Sequence, residues 1–390
     1  MVKTGIDILL EHTPSWKQSR IGLVTNDAAL TGQGIASRKA ILDNGFNLVR
    51  IFSPEHGLSA TGADGAPMKD QKDPLTGLPV ISLYGEKVAP AAADLCDLDL
   101  LLFDIPDAGT RFYTYLWTLT YCLEVCASTK TTLIVLDRPN PLSGILSLAG
   151  GPFLDESNCS SFIGRWSIPI RHSCTLGELA LYFNQEKKMK GDLEVICCKG
   201  WSRHQFYSDT GLRFIPPSPA LQTLNSLLLY PGTCLLEATN LHEGRETGQA
   251  FSLVAAPWLD TGMLRNQLLA LGVEGFDLLE TKFISTSTRF SGKTCTALQF
   301  LVQDPQVFNA VPFGFLLIKC IKDLFPFFEW GLYPTAVNPT GQDHLDRLSG
   351  VAHSQQWFDL PMNEFKNLVY NECATARPWA EKVSSALLYG

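Results

Sequence analysis

The sequence predicts an α/β protein in which a mostly parallel sheet, covered by helices on both faces, is followed by a smaller α+β domain. Three observations carry this. Short apolar runs alternate with segments of helical spacing through the first third of the chain. Four of these runs end in a compact group of polar residues, as strands do when a crevice lies beyond their carboxyl ends. The alternation stops at Phe214-Ile215-Pro216-Pro217-Ser218-Pro219, the strongest punctuation in the chain. With 390 residues the chain suits two domains, and their expected extents are 1–218 and 219–390.

The first run, Ile21-Gly22-Leu23-Val24-Thr25, reads as a buried strand, and Ser37 to Leu42 as the helix after it. Leu48 to Phe52, Val80 to Leu83 and Leu98 to Phe103 are the next strands. Tyr115 to Ala127 has helical spacing and leads into a strand over Thr132 to Leu136. Apolar strands separated by helices require a parallel sheet buried on both faces. The segment Gly57 to Pro79, rich in Gly, Ala, Asp and Pro, reads as a long loop over the crevice. Thr175 and Glu178 have capping-box spacing at a helix start, which makes Glu178 structural.

Composition narrows the function classes. Hydrophobic residues make up 45% and charged residues 18%, enough apolar material for a packed core. The net charge of −8 argues against nucleic acid as a partner. No apolar run approaches the ~18 residues of a membrane span, so no membrane insertion is expected. Eleven cysteines without Cys-x-x-Cys spacing read as reduced thiols rather than a zinc site, and no metal or other cofactor is called for. Thiol usage and the absence of a recognisable secretory signal predict a cytoplasmic protein, or a periplasmic or secreted one if a signal has been removed.

Gly32-Gln33-Gly34-Ile35-Ala36-Ser37 superficially resembles a dinucleotide fingerprint. Its third glycine is Ser37, however, and the strand ends several residues before Gly32, too early for a phosphate-cradling turn. A dehydrogenase reading would require NAD to raise the melting temperature. No P-loop, nucleophile elbow or His-Glu-x-x-His helix is present.

What remains is a crevice rich in carboxylates. Glu55 sits between Pro54 and His56-Gly57 at a strand end, a braced position for a proton donor. Paired carboxylates of this kind cleave glycosidic bonds, one protonating the leaving oxygen and the other activating water or attacking the sugar. Candidates for the second are Asp104, Asp107, Asp137 and Glu243. Arg111, Arg138 and Arg245 suit a substrate carboxylate, or else pair with those same aspartates. The segment Asn240-Leu241-His242-Glu243-Gly244-Arg245-Glu246-Thr247 is expected to face the crevice from the second domain. Tyr113, Tyr115 and Trp117 form either a sugar-stacking platform or core.

Several motifs together resemble the NamZ-type exo-β-N-acetylmuramidase family. They include Ser53-Pro54-Glu55-His56-Gly57, Ser82-Leu83-Tyr84-Gly85, Asp104 to Tyr115, Asp137-Arg138-Pro139-Asn140-Pro141, Ile168 to His172, Tyr230-Pro231-Gly232 and Thr239 to Arg245. The resemblance implies a Rossmann-like N-terminal domain and a smaller C-terminal domain. It also implies release of β-1,4-linked N-acetylmuramic acid from the non-reducing end of peptidoglycan fragments, with Glu55 as the leading catalytic residue. Within these motifs Asn26, His56, Arg111, Tyr113, Arg138, Asn140, His172, Asn240 and Arg245 are the candidate contacts to a muramic-acid-containing saccharide. The chain departs from the family pattern at Pro106, Ala220, His242 and Glu246, and has Leu58 where the family has arginine. Glu246 in particular would repel an anionic substrate unless paired with an arginine. The alternative is a cell-wall saccharide-binding protein without turnover, which would bind the disaccharide and release no product.

Overall fold

The computed structural model describes residues 1–287 and 289–390. Strands β1 (Ile21–Thr25), β2 (Leu48–Ser53), β3 (Gln71–Lys72), β4 (Pro79–Ser82), β5 (Leu100–Asp104), β6 (Thr132–Leu136) and β7 (Leu193–Ile196) form one sheet in the order β3-β4-β2-β1-β5-β6-β7. All neighbours are parallel except the short β3, which pairs antiparallel with β4. Without β3, the parallel strands follow the 3-2-1-4-5-6 order of a Rossmann sheet, which reverses between β1 and β5.

Burial explains why the apolar runs became strands: β1 and β5 are buried along their whole lengths because helices cover both faces. The helix Tyr115–Thr129 fills one face with Leu116, Trp117, Leu119 and Leu123, all fully buried. Trp117 and Tyr115 are therefore core, whereas Tyr113 precedes the helix and reaches a cleft. Leu193–Ile196 is an edge strand that the sequence did not announce, being short, interrupted by Glu194 and only half-buried. The capping box at Thr175 and Glu178 is present, and Glu178 also pairs with Arg203.

The second part of the chain holds an antiparallel sheet in the order β8-β10-β9, from β8 (Leu253–Ala256), β9 (Phe276–Ile284) and β10 (Thr294–Val302). The helices Leu224–Thr233 and Ala310–Leu324 cross at Gly232 and Gly314. A Cβ on Gly232 would lie 1.8 Å from the Ala310 carbonyl oxygen, and one on Gly314 would lie 2.2 Å from the Gly232 carbonyl oxygen. Only glycine allows this approach. The crossing fixes the turn of chain that follows, Cys234–Ala238, which carries Glu237.

The chain end returns to the first sheet. The Tyr389 hydroxyl donates to Asp137 Oδ2 at 2.6 Å, and the Gly177 amide donates to Asp137 Oδ1 at 2.9 Å. Burial nevertheless raises the Asp137 carboxyl to about 6 against these hydrogen bonds. Because the folded protein holds this proton more tightly than an unfolded chain does, the contribution to stability is full below about 4 and is lost as pH rises through about 6. The shift corresponds to about 3 kcal/mol at most. Asp137→Asn should therefore gain on the unsubstituted protein in melting temperature between pH 4 and pH 7. A difference that stays constant over that range would contradict this reading.

Candidate active site

A cleft of about 790 Å³, open to solvent, lies between the two parts of the chain. Its first wall comes from the segment after β2 (Glu55, His56, Asp64, Gly65), from Tyr84 after β4, and from Phe112, Tyr113 and Thr114 ahead of the Tyr115–Thr129 helix. The facing wall carries Tyr230, Glu237, Arg245, Tyr333, His344 and Arg347.

Glu55 leaves β2 on a sharp bend. Pro54 precedes it, and His56 follows with a φ of 66°, in the left-handed region that a non-glycine residue rarely adopts. The His56 ring holds this bend closed, its Nδ1 lying 2.9 Å from the Gly62 carbonyl oxygen. The carboxylate accepts from the Gly65 amide at 3.0 Å and from the Thr114 hydroxyl at 2.8 Å. Glu55 is only 8% exposed yet has no ion-pair partner among the described residues. Tyr84 stands beside it, and burial followed by the Glu55 charge holds its phenol well above the ordinary value.

The other carboxylates on and behind the cleft lining are tied to cations. Arg245 donates to Asp64 at 2.6 Å, to Glu237 at 2.7 Å and to Glu243 at 2.7 Å. His344 Nε2 lies 2.9 Å from the second Glu237 oxygen, and its ring stacks on Tyr333. Burial pushes the Glu237 carboxyl up, but the Arg245 charge and His344 outweigh it and hold it below the usual range. For Glu243 burial is likewise outweighed, chiefly by Arg245. Two polar atoms on the cleft lining, the Tyr113 hydroxyl and Ser161 Oγ, are buried without hydrogen-bond partners among the described residues. Such groups are costly unless a ligand satisfies them.

The structure brings together Glu55, His56, Tyr113 and Arg245 on the cleft lining and commits the remaining candidates elsewhere. Asp104 is bound in a fork by Arg138, at 2.6 and 3.0 Å, at the carboxyl ends of β5 and β6. Asp137 is capped by Gly177 and Tyr389, as described above. Glu243 is absent from the lining and backs Arg245. Asp107 accepts from the Gly109 amide and stands 3.3 Å from the buried His172. Asn26 donates to Tyr115, Asn140 spans the Cys174 carbonyl and the Leu142 amide, and Asn240 donates to the Phe327 carbonyl. Arg111, buried without an acidic partner among the described residues, donates to the carbonyls of Pro152, Ile168 and Leu348. Burial lowers its guanidinium to about 9.

Sequence reasoning missed Glu237, Asp64, His344 and Arg347. Glu237 had a readable signal, as the lone charge in the apolar stretch Tyr230 to Ala238. The others lie in segments of ordinary loop composition. Of the departures from the family pattern, Ala220 lines the cleft, whereas His242 is buried against Phe283 and Pro106 belongs to a second cleft near the ends of β1, β5 and β6. Glu246 is exposed and accepts from Thr286 at 2.8 Å, and among the described residues it neither pairs with an arginine nor lines the cleft.

A family model for the N-terminal part of the exo-β-N-acetylmuramidase NamZ matches residues 21–225, and one for the C-terminal part matches residues 228–389. The chain belongs to the NamZ family. It is 39% identical, over 327 residues, to a protein of Bacillus subtilis (strain 168) named peptidoglycan β-N-acetylmuramidase NamZ, covering 83% of this chain and 78% of that protein. Two crystal structures of DUF1343 family proteins from Bacteroides fragilis NCTC 9343 superpose with TM-scores of 0.86 and 0.73, at 27% and 26% identity. Each comparison covers 100% of this chain and 99% of the other. The fold of this NamZ family member is thus a Rossmann-like domain with a smaller α+β partner.

The triple ion pair generates a prediction. Arg245→Met leaves three carboxylates facing one another, two of them buried, and should cost about 3 kcal/mol or more near pH 7. Glu237 and Glu243 are held below their ordinary 4.5, so the stability they contribute is present above that value and lost as pH falls. The penalty measured by urea unfolding should shrink between pH 7 and pH 4. An undiminished penalty at pH 4 would contradict it.

Proposed function

We propose that this chain is an exo-β-N-acetylmuramidase, with Glu55 donating a proton to the glycosidic oxygen as that oxygen parts from the terminal N-acetylmuramic acid. The observation that carries this reading is the division of labour among the cleft carboxylates. Glu55 alone among them, within the described residues, has no cation on it. Glu237 is held ionised by Arg245 and His344. A glycosidase needs both kinds of carboxyl group in one site.

In the reaction, the bond between the anomeric carbon and the bridging oxygen breaks, and its electron pair goes to that oxygen, which takes the Glu55 proton. Positive charge develops on the sugar ring, and the ionised Glu237 supplies the compensating charge. Water adds to the anomeric carbon and its proton returns to a carboxylate of the site. Thr114 and the Gly65 amide fix the Glu55 carboxyl group by hydrogen bonds to each oxygen, so little reorganisation is needed when the proton moves. Phe112, Tyr113 and Phe162 give the cleft the apolar and aromatic faces that suit a sugar ring.

Glu55→Gln keeps the acceptor and the shape but removes the transferable proton. Release of the terminal sugar from a chromogenic muramic acid glycoside should fall by at least about 100-fold, with the melting temperature nearly unchanged. Undiminished activity in the variant would overturn the assignment. Binding of the disaccharide by the unsubstituted protein without product would favour a saccharide-binding protein instead.

A further inference from the structure

Arg245 was the natural candidate to hold a substrate carboxylate, but three carboxylates already occupy it. The cleft has a second guanidinium. Arg347 lies on the helix His344–Ser349, half-buried on the lining, and its side chain makes no ion pair or hydrogen bond among the described residues.

Three acids are near Arg347, and none pairs with it among the described residues. Asp343, four residues earlier at the helix start, is exposed, and the charges of Asp346 and Asp155, like that of Arg347, are felt at the buried Cys159. Asp346 and Asp155 are committed to other donors, mostly backbone amides. Asp346 accepts from the His353 amide at 2.7 Å and from the Ser354 amide and hydroxyl at 2.9 and 2.7 Å. Asp155 accepts from the Ser157 and Asn158 amides and the Asn158 side chain. The helix itself is anchored from both sides. His344 at its start is bound to Glu237, and Arg111 of the first domain donates to the Leu348 carbonyl at its end, at 2.9 Å. Gly350 allows this contact, since a Cβ there would lie 2.5 Å from Arg111 Nη2. The anchored helix presents an unspent guanidinium in the same cleft as Glu55.

We infer that Arg347, on a helix whose end Arg111 anchors, is the specificity-determining contact for the lactyl carboxylate of the terminal N-acetylmuramic acid. This rests on the reading of the cleft as a muramidase site. A guanidinium forks onto a carboxylate in a charge-assisted pair. N-acetylglucosamine, which lacks the lactyl group, leaves it unanswered. In a cleft whose other charges are mostly negative, one unpaired arginine is also what admits an anionic sugar at all.

The test compares chromogenic glycosides of N-acetylmuramic acid and N-acetylglucosamine on the unsubstituted protein and on Arg347→Met and Arg347→Lys. The methionine variant should raise KM for the muramic acid glycoside by roughly 10- to 100-fold, with kcat much less affected, and the preference between the two sugars should fall by a similar factor. The lysine variant should recover part of the loss, since it keeps the charge but not the fork. An unchanged preference in both variants would overturn the inference. Should the unsubstituted protein cleave neither glycoside, the reading of the reaction fails, and Arg347 is then tested by calorimetry with the free sugars. Tighter binding of N-acetylmuramic acid, lost in Arg347→Met, would support it, and equal binding of both sugars would overturn it.

Discussion

The cleft depends on one guanidinium. Arg245 gathers Asp64 from the loop after β2, Glu237 from the turn after the Gly232 crossing, and Glu243 from its own loop. These segments come from both parts of the chain, so a single cation sets the spacing of the two walls. Its neutralisation by three carboxylates has a chemical consequence as well: Glu237 is held ionised in a buried site, while Glu55 on the same lining has no cation on it among the described residues. The ion network thus gives the two carboxyl groups different surroundings, the difference on which the proposed glycosidic cleavage rests.

The site also sits away from the usual place in its sheet. A Rossmann order places ligands at the reversal between β1 and β5. Here the cleft with the carboxylates opens beyond β2 and β4, and a smaller one, lined by Thr31, Asp107 and Arg138, lies at the reversal. The glycines that mimic a dinucleotide fingerprint explain part of this. Gly32 to Gly34 form a tight turn closed between Thr31 and Ile35, and the Gly32 amide already donates to the Asp7 carboxylate at 2.8 Å. A phosphate would meet negative charge where it needs free amides.

The sheet was legible because burial on two faces leaves apolar runs that no other element explains, and Ile21–Thr25 and Thr132–Leu136 match the expected runs residue for residue. Leu193–Ile196 was not, since an edge strand is half-exposed and its Glu194 breaks the run. In the site, Glu55 could be read from its proline-braced bend. The partners of the other strand-end acids could not: Arg138 lies 34 residues from Asp104, and Tyr389 lies 252 residues from Asp137. Nothing local distinguishes a carboxylate consumed by such a partner from one left facing a cleft. Arg111 shows the same limit from the cationic side, because its acceptors are backbone carbonyls, one of them 237 residues away.

The central claim is spatial, that a saccharide lies across Glu55 between the two walls. The most direct measurement is a crystal structure of Glu55→Gln protein soaked with the β-1,4-linked disaccharide that carries N-acetylmuramic acid at its non-reducing end. The account predicts the bridging oxygen at about 3 Å from the residue 55 side chain, with the sugar ring against Tyr113 and Phe112. A disaccharide lodged instead in the cleft beside Thr31 and Arg138, with residue 55 untouched, would contradict it.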